Sequence, residues 1–424
     1  MNCIKKTLSN GLRIIAVPIS SSESATVTVW VRTGSRFEDA ETNGLSHFLE
    51  HMVFKGTKKR PSAKIISEEV DALGAEFNAG TSKEWTNFYI KARSKVIPQA
   101  FDILSDMVLA PLLKSEEIER EKGVIIQEIN LYEDNPVMKI GDVFENVVFR
   151  GSKLSWDIAG SPQTVKCIER QDFIDYRKQH YFPENMLICV SGNVTEKEVE
   201  KLSDRYFSSL KKTNKALGKP EDKLKQRGPE VLVSTKKTDQ THIMLGFKSK
   251  PMGDASRYIE GVLGTILGGG MSSRLFIEVR ERRGLAYSVR TVGDHVLDNG
   301  YFATYSGVRT AKASEAITII LDQYYKLASG KIKITSKELA KAKEFMKGHI
   351  ALSLEDSKSI GDFFAYDELM LAKTRTPGEV YKNIDSVTAG DVVSFAKEIF
   401  VSEGLNLAVI GPFESKERFQ KLLY

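Results

Sequence analysis

The sequence is poor in cysteine and histidine and has no long apolar run. Its 424 residues include only Cys3, Cys167 and Cys189, an odd set, widely spaced and without a Cys-x-x-Cys pair. That excludes a disulfide scaffold or cysteine–zinc knuckle and makes a reducing compartment the default. No stretch approaches the roughly 20 apolar residues of a membrane-spanning helix. Lys5 and Lys6 are not followed by the apolar core of a signal peptide, so a cytoplasmic location without a membrane partner is expected. An excess of one charge is also lacking: 61 basic against 56 acidic residues leave a net +5, and no concentrated basic face points to a nucleic-acid partner. What remains, 41% hydrophobic and 28% charged, is the balance of a globular chain, long enough for about two domains of ordinary size.

The least structured stretch is 211–228 (KKTNKALGKPEDKLKQRG), rich in charge and almost without large apolar residues. It reads as an exposed linker. The expected division is a domain over 1–212, a linker over 213–228 and a second domain over 229–424. The halves look alike. The first ends in a buried strand and glycine turn (186–195) followed by a helical pattern over 196–210. The second ends in the same way, with 405–413 followed by 414–422. A tandem duplication of an α+β domain explains both. Within the first half, Asn10-Gly11 marks a hairpin turn. Ser62 caps a helix over 63–73 that stops at Gly74. The stretches 77–82 and 86–92 alternate like paired strands, and Pro98 opens a helix whose Phe101, Leu104 and Val108 share a face. Ser115, followed by Glu116 and Glu117, starts another helix running to about residue 133.

Residues 43–54 (NGLSHFLEHMVF) carry the chemistry. At about 100° per residue, with His47 at zero, Glu50 lies near 300° and His51 near 40°. Phe48, Leu49, Met52 and Val53 occupy the opposite side. Two imidazoles four residues apart can grip one metal ion from a single helix, and a neighbouring Glu can take a proton from water. A third ligand should be ionisable yet core-facing. On the helix over 115–133, Glu121 and Glu128 lie two turns apart, flanked by Ile118, Val124, Ile125, Ile129 and Leu131. An unpaired charge in the middle of such a face is costly, so these acids call for a buried ion pair with Arg or Lys or for a metal; a metal site explains both helices at once. Spacing alone leaves the choice between Glu121 and Glu128 open.

His47-Phe-Leu-Glu50-His51 with the two downstream acids resembles the inverted zinc motif, His-x-x-Glu-His, of the pitrilysin (M16-type) family of metallopeptidases. The context matches as well: GLSHFLEHMVFKGT around the helix, GAEFNAGTSKEWTNFY at 74–89 and GGGMSSRLFIEVRERRGLAYSV at 268–289. The resemblance spans essentially the whole chain. It implies zinc (Zn2+) held by His47, His51 and Glu128, Glu50 as catalytic base, and Glu121 as an acid that orients or tunes the site. Asn78 and Ala79 match the family's edge strand, which pairs with an extended substrate. Arg280 and Tyr287 match residues that reach substrate from the non-catalytic half. The implied fold is two homologous αβ-roll domains, half of a clamshell, so the expected protein is a homodimeric zinc endopeptidase acting on flexible peptides. A non-catalytic scaffold subunit of a larger complex is the alternative, as is a zinc hydrolase acting on something other than peptides. The second half's counterpart to the histidine helix, about 260–270 (EGVLGTILGGG), has no histidine and should bind no metal. Its glycines lack the Lys-Ser/Thr of a phosphate loop. His180, His242, His295 and His349 have no partner at ligand spacing and read as structural, and Arg282 and Arg283 as solvated.

Overall fold

The computed structural model describes residues 3–423 apart from 214, 216, 217, 219 and 223, so part of the expected linker lies outside the described residues. Asn10-Gly11 does turn a hairpin: β1 (Ile4–Thr7) pairs antiparallel with β2 (Arg13–Pro18). With β3 (Ser24–Val31), β4 (Glu76–Thr81), β5 (Thr86–Arg93) and β6 (Met186–Gly192) they form a sheet of order β1-β2-β6-β3-β5-β4. β7 (Glu230–Thr235), β8 (Gln240–Ser249), β9 (Ala286–His295), β10 (Gly300–Arg309) and β11 (Leu405–Gly411) form a second, of order β7-β11-β8-β10-β9. In each sheet one pair is parallel, β2 with β6 and β7 with β11, and the other pairs are antiparallel. The matching orders bear out the duplicated α+β design.

Strand alternation places the first core. Val27, Val29, Phe88 and Ile90 point to one face, where they meet Phe48 of the Leu45–Val53 helix, Phe101 of Ile97–Leu109 and Phe173 of Arg170–His180. As expected, Ser62 accepts from the Ile65 N–H at the start of the Ala63–Ala72 helix. The helix expected over 196–210 spans Glu196–Phe207. Past its end, the Phe207 carbonyl accepts from Asn10 Nδ2 at 2.9 Å and from the Leu210 N–H at 3.1 Å.

The other face of the first sheet is covered from far along the chain. By compactness, one unit comprises Met1–Asn130, Trp156–Gly218 and Ala351–Pro377, the other Leu131–Ser155, Lys219–Ile350 and Gly378–Tyr424. Each unit therefore includes a helix from beyond the midpoint linker. The Ser357–Leu371 helix lies on β3 and β6, where Thr26 Oγ1 and Ser357 Oγ are 2.8 Å apart and the Cys189 thiol meets the Gly361 carbonyl. A Cβ at Gly361 would stand 2.7 Å from Ser191 Oγ, so glycine lets the helix approach without displacing that side chain. In the other unit, the Pro136–Val148 helix packs Ile140, Phe144 and Val147 on Met244, Tyr301, Ala303 and Ala408 of the second sheet. Among the described residues, no helix is long and apolar enough to cross a membrane.

Candidate metal centre

The histidine helix, Leu45–Val53, is held by its apolar stripe and by its N-terminus. Phe48, Leu49, Met52 and Val53 are fully buried. Gly44 enters the helix at φ +103°, a left-handed conformation suited to glycine. The buried Glu38 carboxylate accepts from the N–H groups of Ser46 (2.6 Å) and Gly44 (2.8 Å), satisfying donors that a helix start leaves open. Beneath them, Tyr176 Oη lies 2.6 Å from Ser46 Oγ and 2.7 Å from Thr33 Oγ1. Sequence periodicity found this helix, but the Glu38 cap carries no local signature.

Glu121 and Glu128 come from the Ser115–Asp134 helix. Its buried stripe is narrower than the wheel suggested: Ile118, Glu121 and Ile125 face inward, whereas Val124 and Leu131 are 48% and 62% exposed. Helical projection centres the face about 30° further round, because Ile118 and Ile125 share one side of Glu121 while Val124 and Leu131 share the other. Glu128 Oε2 lies 3.4 Å from His51 Nε2 and 3.7 Å from His47 Nε2. One ligand atom from each of His47, His51 and Glu128 can be chosen so that all lie within 4.8 Å of one another, the one such metal-capable group among the described residues. Glu121 is placed differently. Its Oε1 is 2.9 Å from His51 Nδ1 and its Oε2 is 2.6 Å from Lys55 Nζ. A carboxylate at Nδ1 keeps the proton there and orients the ring, leaving Nε2 to face Glu128. Lys55 and Thr81 were not singled out in the sequence. Lys55 lies just past the helix end, and Thr81, at the end of β4, donates from Oγ1 to Glu50 Oε2 at 2.6 Å.

The donor set fits a tetrahedral zinc ion. Bonds of about 2.0–2.1 Å imply ligand-to-ligand edges of about 3.3–3.4 Å, close to the two separations made by Glu128. Burial, with the His51 charge beside it, pushes His47 down to about 4, so it is neutral at ordinary pH. Burial also opposes charge on His51, but hydrogen bonds to Glu121 and Glu128 outweigh it and push His51 up to about 9. The His51 hydrogen bond holds the Glu128 carboxyl low. Glu121 is also low, burial being outweighed by His51 and Lys55. Burial raises Glu50, against the Thr81 hydrogen bond.

A ligand imidazole must be neutral, which fixes a pH dependence. Zinc added to chelator-treated protein at pH 7 is expected to displace the His51 proton, besides any that zinc-bound water gives up. Zinc affinity should fall by at least about tenfold per pH unit as pH drops below about 9. Potentiometric titration beside calorimetry reads both, and an affinity constant between pH 6 and 9 would contradict the assignment of that proton.

The remaining sequence candidates separate into two places. Asn78 and Ala79 sit on β4, which pairs with β5 and occupies the sheet edge. There the Ala79 N–H donates to Asn78 Oδ1 at 2.8 Å. Arg280 and Tyr287 belong to the second compact unit. The Arg280 guanidinium, on the π-helical turn Phe276–Glu281, lies between the rings of Phe276 (4.7 Å) and Tyr287 (4.8 Å). It donates to the Tyr287 carbonyl at 3.0 Å, and the Tyr287 side chain is largely exposed. Arg282 and Arg283 are exposed as expected, yet both pair with Glu278.

In the second unit, the Arg257–Gly268 helix buries Val262, Leu263, Ile266 and Leu267 in the pattern of Phe48, Leu49, Met52 and Val53. That register sets Gly261, Gly264 and Thr265 where the first unit has His47, Glu50 and His51. The space is filled: a Cβ at Gly261 would meet Met346 Cε at 2.6 Å, and one at Gly264 would meet Phe302 at 3.4 Å. His180 packs on Tyr176, His242 Nδ1 is 3.0 Å from Tyr305 Oη, and His295 and His349 meet backbone carbonyls through Nδ1.

Residues 13–161 match the family model for Insulinase (Peptidase family M16), and residues 168–346 match that for the Peptidase M16 inactive domain. The uncharacterized zinc protease YmxG of Bacillus subtilis is 36% identical over 408 residues, covering 96% of this chain and 97% of its own. An uncharacterized zinc protease of Rickettsia bellii is 33% identical and covers 96% of each chain. Among solved structures, a protease from Helicobacter pylori superimposes with a TM-score of 0.90 at 25% identity, over 97% of this chain and 99% of its own. A peptidase M16 inactive domain from Pseudomonas fluorescens, at 18% identity and a TM-score of 0.89 over 98% of this chain and 99% of its own, shares the fold. With full-length relatives at such identity and both family models matched in order, the chain belongs to the insulinase family, peptidase family M16.

Proposed function

We propose that this chain is a zinc endopeptidase that cleaves flexible peptides. The observation that carries the reading is the convergence of His47 Nε2, His51 Nε2 and Glu128 Oε2, with the half-buried carboxylate of Glu50 on the histidine helix. The zinc named in the relatives' descriptions supports the choice of ion. His47, His51 and Glu128 would hold it, and when bound it supplies Lewis-acid polarisation of a carbonyl and acidification of water. Glu50 Oε2 is anchored by Thr81, which leaves Oε1 to accept a proton from the attacking water and deliver it to the departing amine. Glu121 keeps the His51 ring in place and Lys55 balances its charge. An extended substrate adds as a strand along β4 at Asn78 and Ala79, where backbone groups are read more than side chains.

The family resemblance supports a homodimeric clamshell chamber in which Arg280 and Tyr287 of one subunit hold substrate backbone and stabilise the oxyanion at the zinc site of the other. Zinc analysis and mass spectrometry of a peptide library test the core reading: one zinc per site and cleaved peptides are expected. Zinc-loaded protein that cuts none would favour the scaffold or a non-peptide hydrolase. Mixing Glu50→Gln and Arg280→Ala subunits under exchange tests the sharing. Recovered activity is expected, and none in proven mixed dimers would refute it.

A further inference from the structure

Thr81 is mounted more firmly than an edge-strand residue needs to be. Phe77, Ala79 and Thr81 alternate onto the face of β4 that meets the histidine helix. The Phe77 ring lies 5.5 Å from that of Phe54 at the helix's end, tilted by 54°, and Phe77 and Ala79 pack on the main core. Thr81 pairs in register with Thr86, whose Oγ1 donates to the Thr33 carbonyl at 2.9 Å. The next residue closes a tight turn, the Ser82 N–H donating to the Trp85 carbonyl at 2.8 Å. The far side of that turn is held by the N–H groups of Ser35 and Arg36, which donate to Ser82 O (3.2 Å) and Lys83 O (2.9 Å). Arg36 is itself locked to Glu84 by a buried ion pair of 2.6 Å. The Thr81 hydroxyl is thus delivered from a rigid support to Glu50 Oε2, at 2.6 Å.

A proton acceptor works when its carboxylate plane is fixed and one oxygen stays available, and errors near 1 Å can cost about 100-fold in rate. Anchoring Oε2 through Thr81 does both. Resting on the endopeptidase reading above, we propose that Thr81 is the positioning residue for Glu50, so that β4, the strand along which substrate lies, also aims the group that moves the proton. Substrate backbone and Glu50 are then referenced to one strand two residues apart, Ala79 to Thr81. A peptide seated in register on β4 meets a carboxylate already set for it, without any side-chain recognition of sequence.

Thr81→Val and Thr81→Ser separate this role from packing, since valine keeps the branched shape and loses the hydroxyl while serine does the reverse. On one unstructured peptide, Thr81→Val is expected to lower kcat about 10- to 100-fold. KM and the zinc dissociation constant, read by calorimetry on chelator-treated and reloaded protein, should stay within about 3-fold of the parent. Thr81→Ser should return kcat to within about 3-fold. An unchanged kcat in Thr81→Val overturns the proposal, as does a raised KM at constant kcat, which would make Thr81 part of the substrate grip alone. A serine variant as impaired as the valine one also overturns it, because shape and not the hydroxyl would then matter. Lost zinc binding in Thr81→Val would mark a structural role and overturn it too. Failure of the underlying reading is distinct: the unsubstituted protein would cut no peptide, or Glu50→Gln would remain fully active.

Discussion

Glu50→Gln is expected to keep its zinc and lose peptide cleavage by roughly a thousandfold, within the range a general base contributes. Glutamine has the same shape, can still accept the Thr81 hydroxyl, and leaves His47, His51 and Glu128 untouched. It cannot take a proton at neutral pH. Glu50 is half-buried, and desolvation disfavours its ionisation, so a neutral isostere suits the position. Single-turnover cleavage with zinc measured in the same sample decides the matter. A variant that keeps more than a tenth of the parent rate would remove Glu50 from the chemistry, and one that loses its zinc would make Glu50 a structural or ligand residue.

The fragment 1–212, taken alone, is expected to lack a cooperative unfolding transition. It contains every strand of the first sheet and the whole candidate metal site, but not the Ser357–Leu371 helix that covers β3 and β6. Ile360, Phe364, Leu369 and Met370 of that helix are buried. At about 1.5–3 kcal/mol for each large apolar side chain fully buried, their loss costs roughly 6–12 kcal/mol. That rivals the ~5–15 kcal/mol by which ordinary domains are stable. Lys5 and Arg13 would also lose Glu368, and Lys91 would lose Asp356. Extending the fragment with residues 351–377 through a flexible linker should restore a sharp thermal or urea transition. A native-like melt of 1–212 without them would show that the exchanged helix is dispensable.

Local pattern determined a large part of this protein. Strands and helices of the first half follow from alternation, caps and glycine stops because those signals act between neighbours in sequence. His47, Glu50 and His51 were legible for the same reason: a 3.6-residue period sets all three on one stripe opposite Phe48, Leu49, Met52 and Val53. Glu121 and Glu128 were found as acids out of keeping with their stripe, although Val124 and Leu131 proved solvent-facing, since a wheel gives direction but not the width of the surface that meets it.

Tertiary structure decided what depends on which surfaces meet. Two acids two turns apart are equivalent in sequence. Only the packing of their helix on the histidine helix puts Glu128 before both Nε2 atoms and Glu121 against His51 Nδ1 and Lys55. The Thr81 hydrogen bond to Glu50 and the Glu38 cap join residues from different elements, with no periodic trace of the partner. An amphipathic helix records that one of its faces is covered and not by what. The exchange of Pro136–Val148 and Ser357–Leu371 therefore became visible only once the sheets they cover were in place.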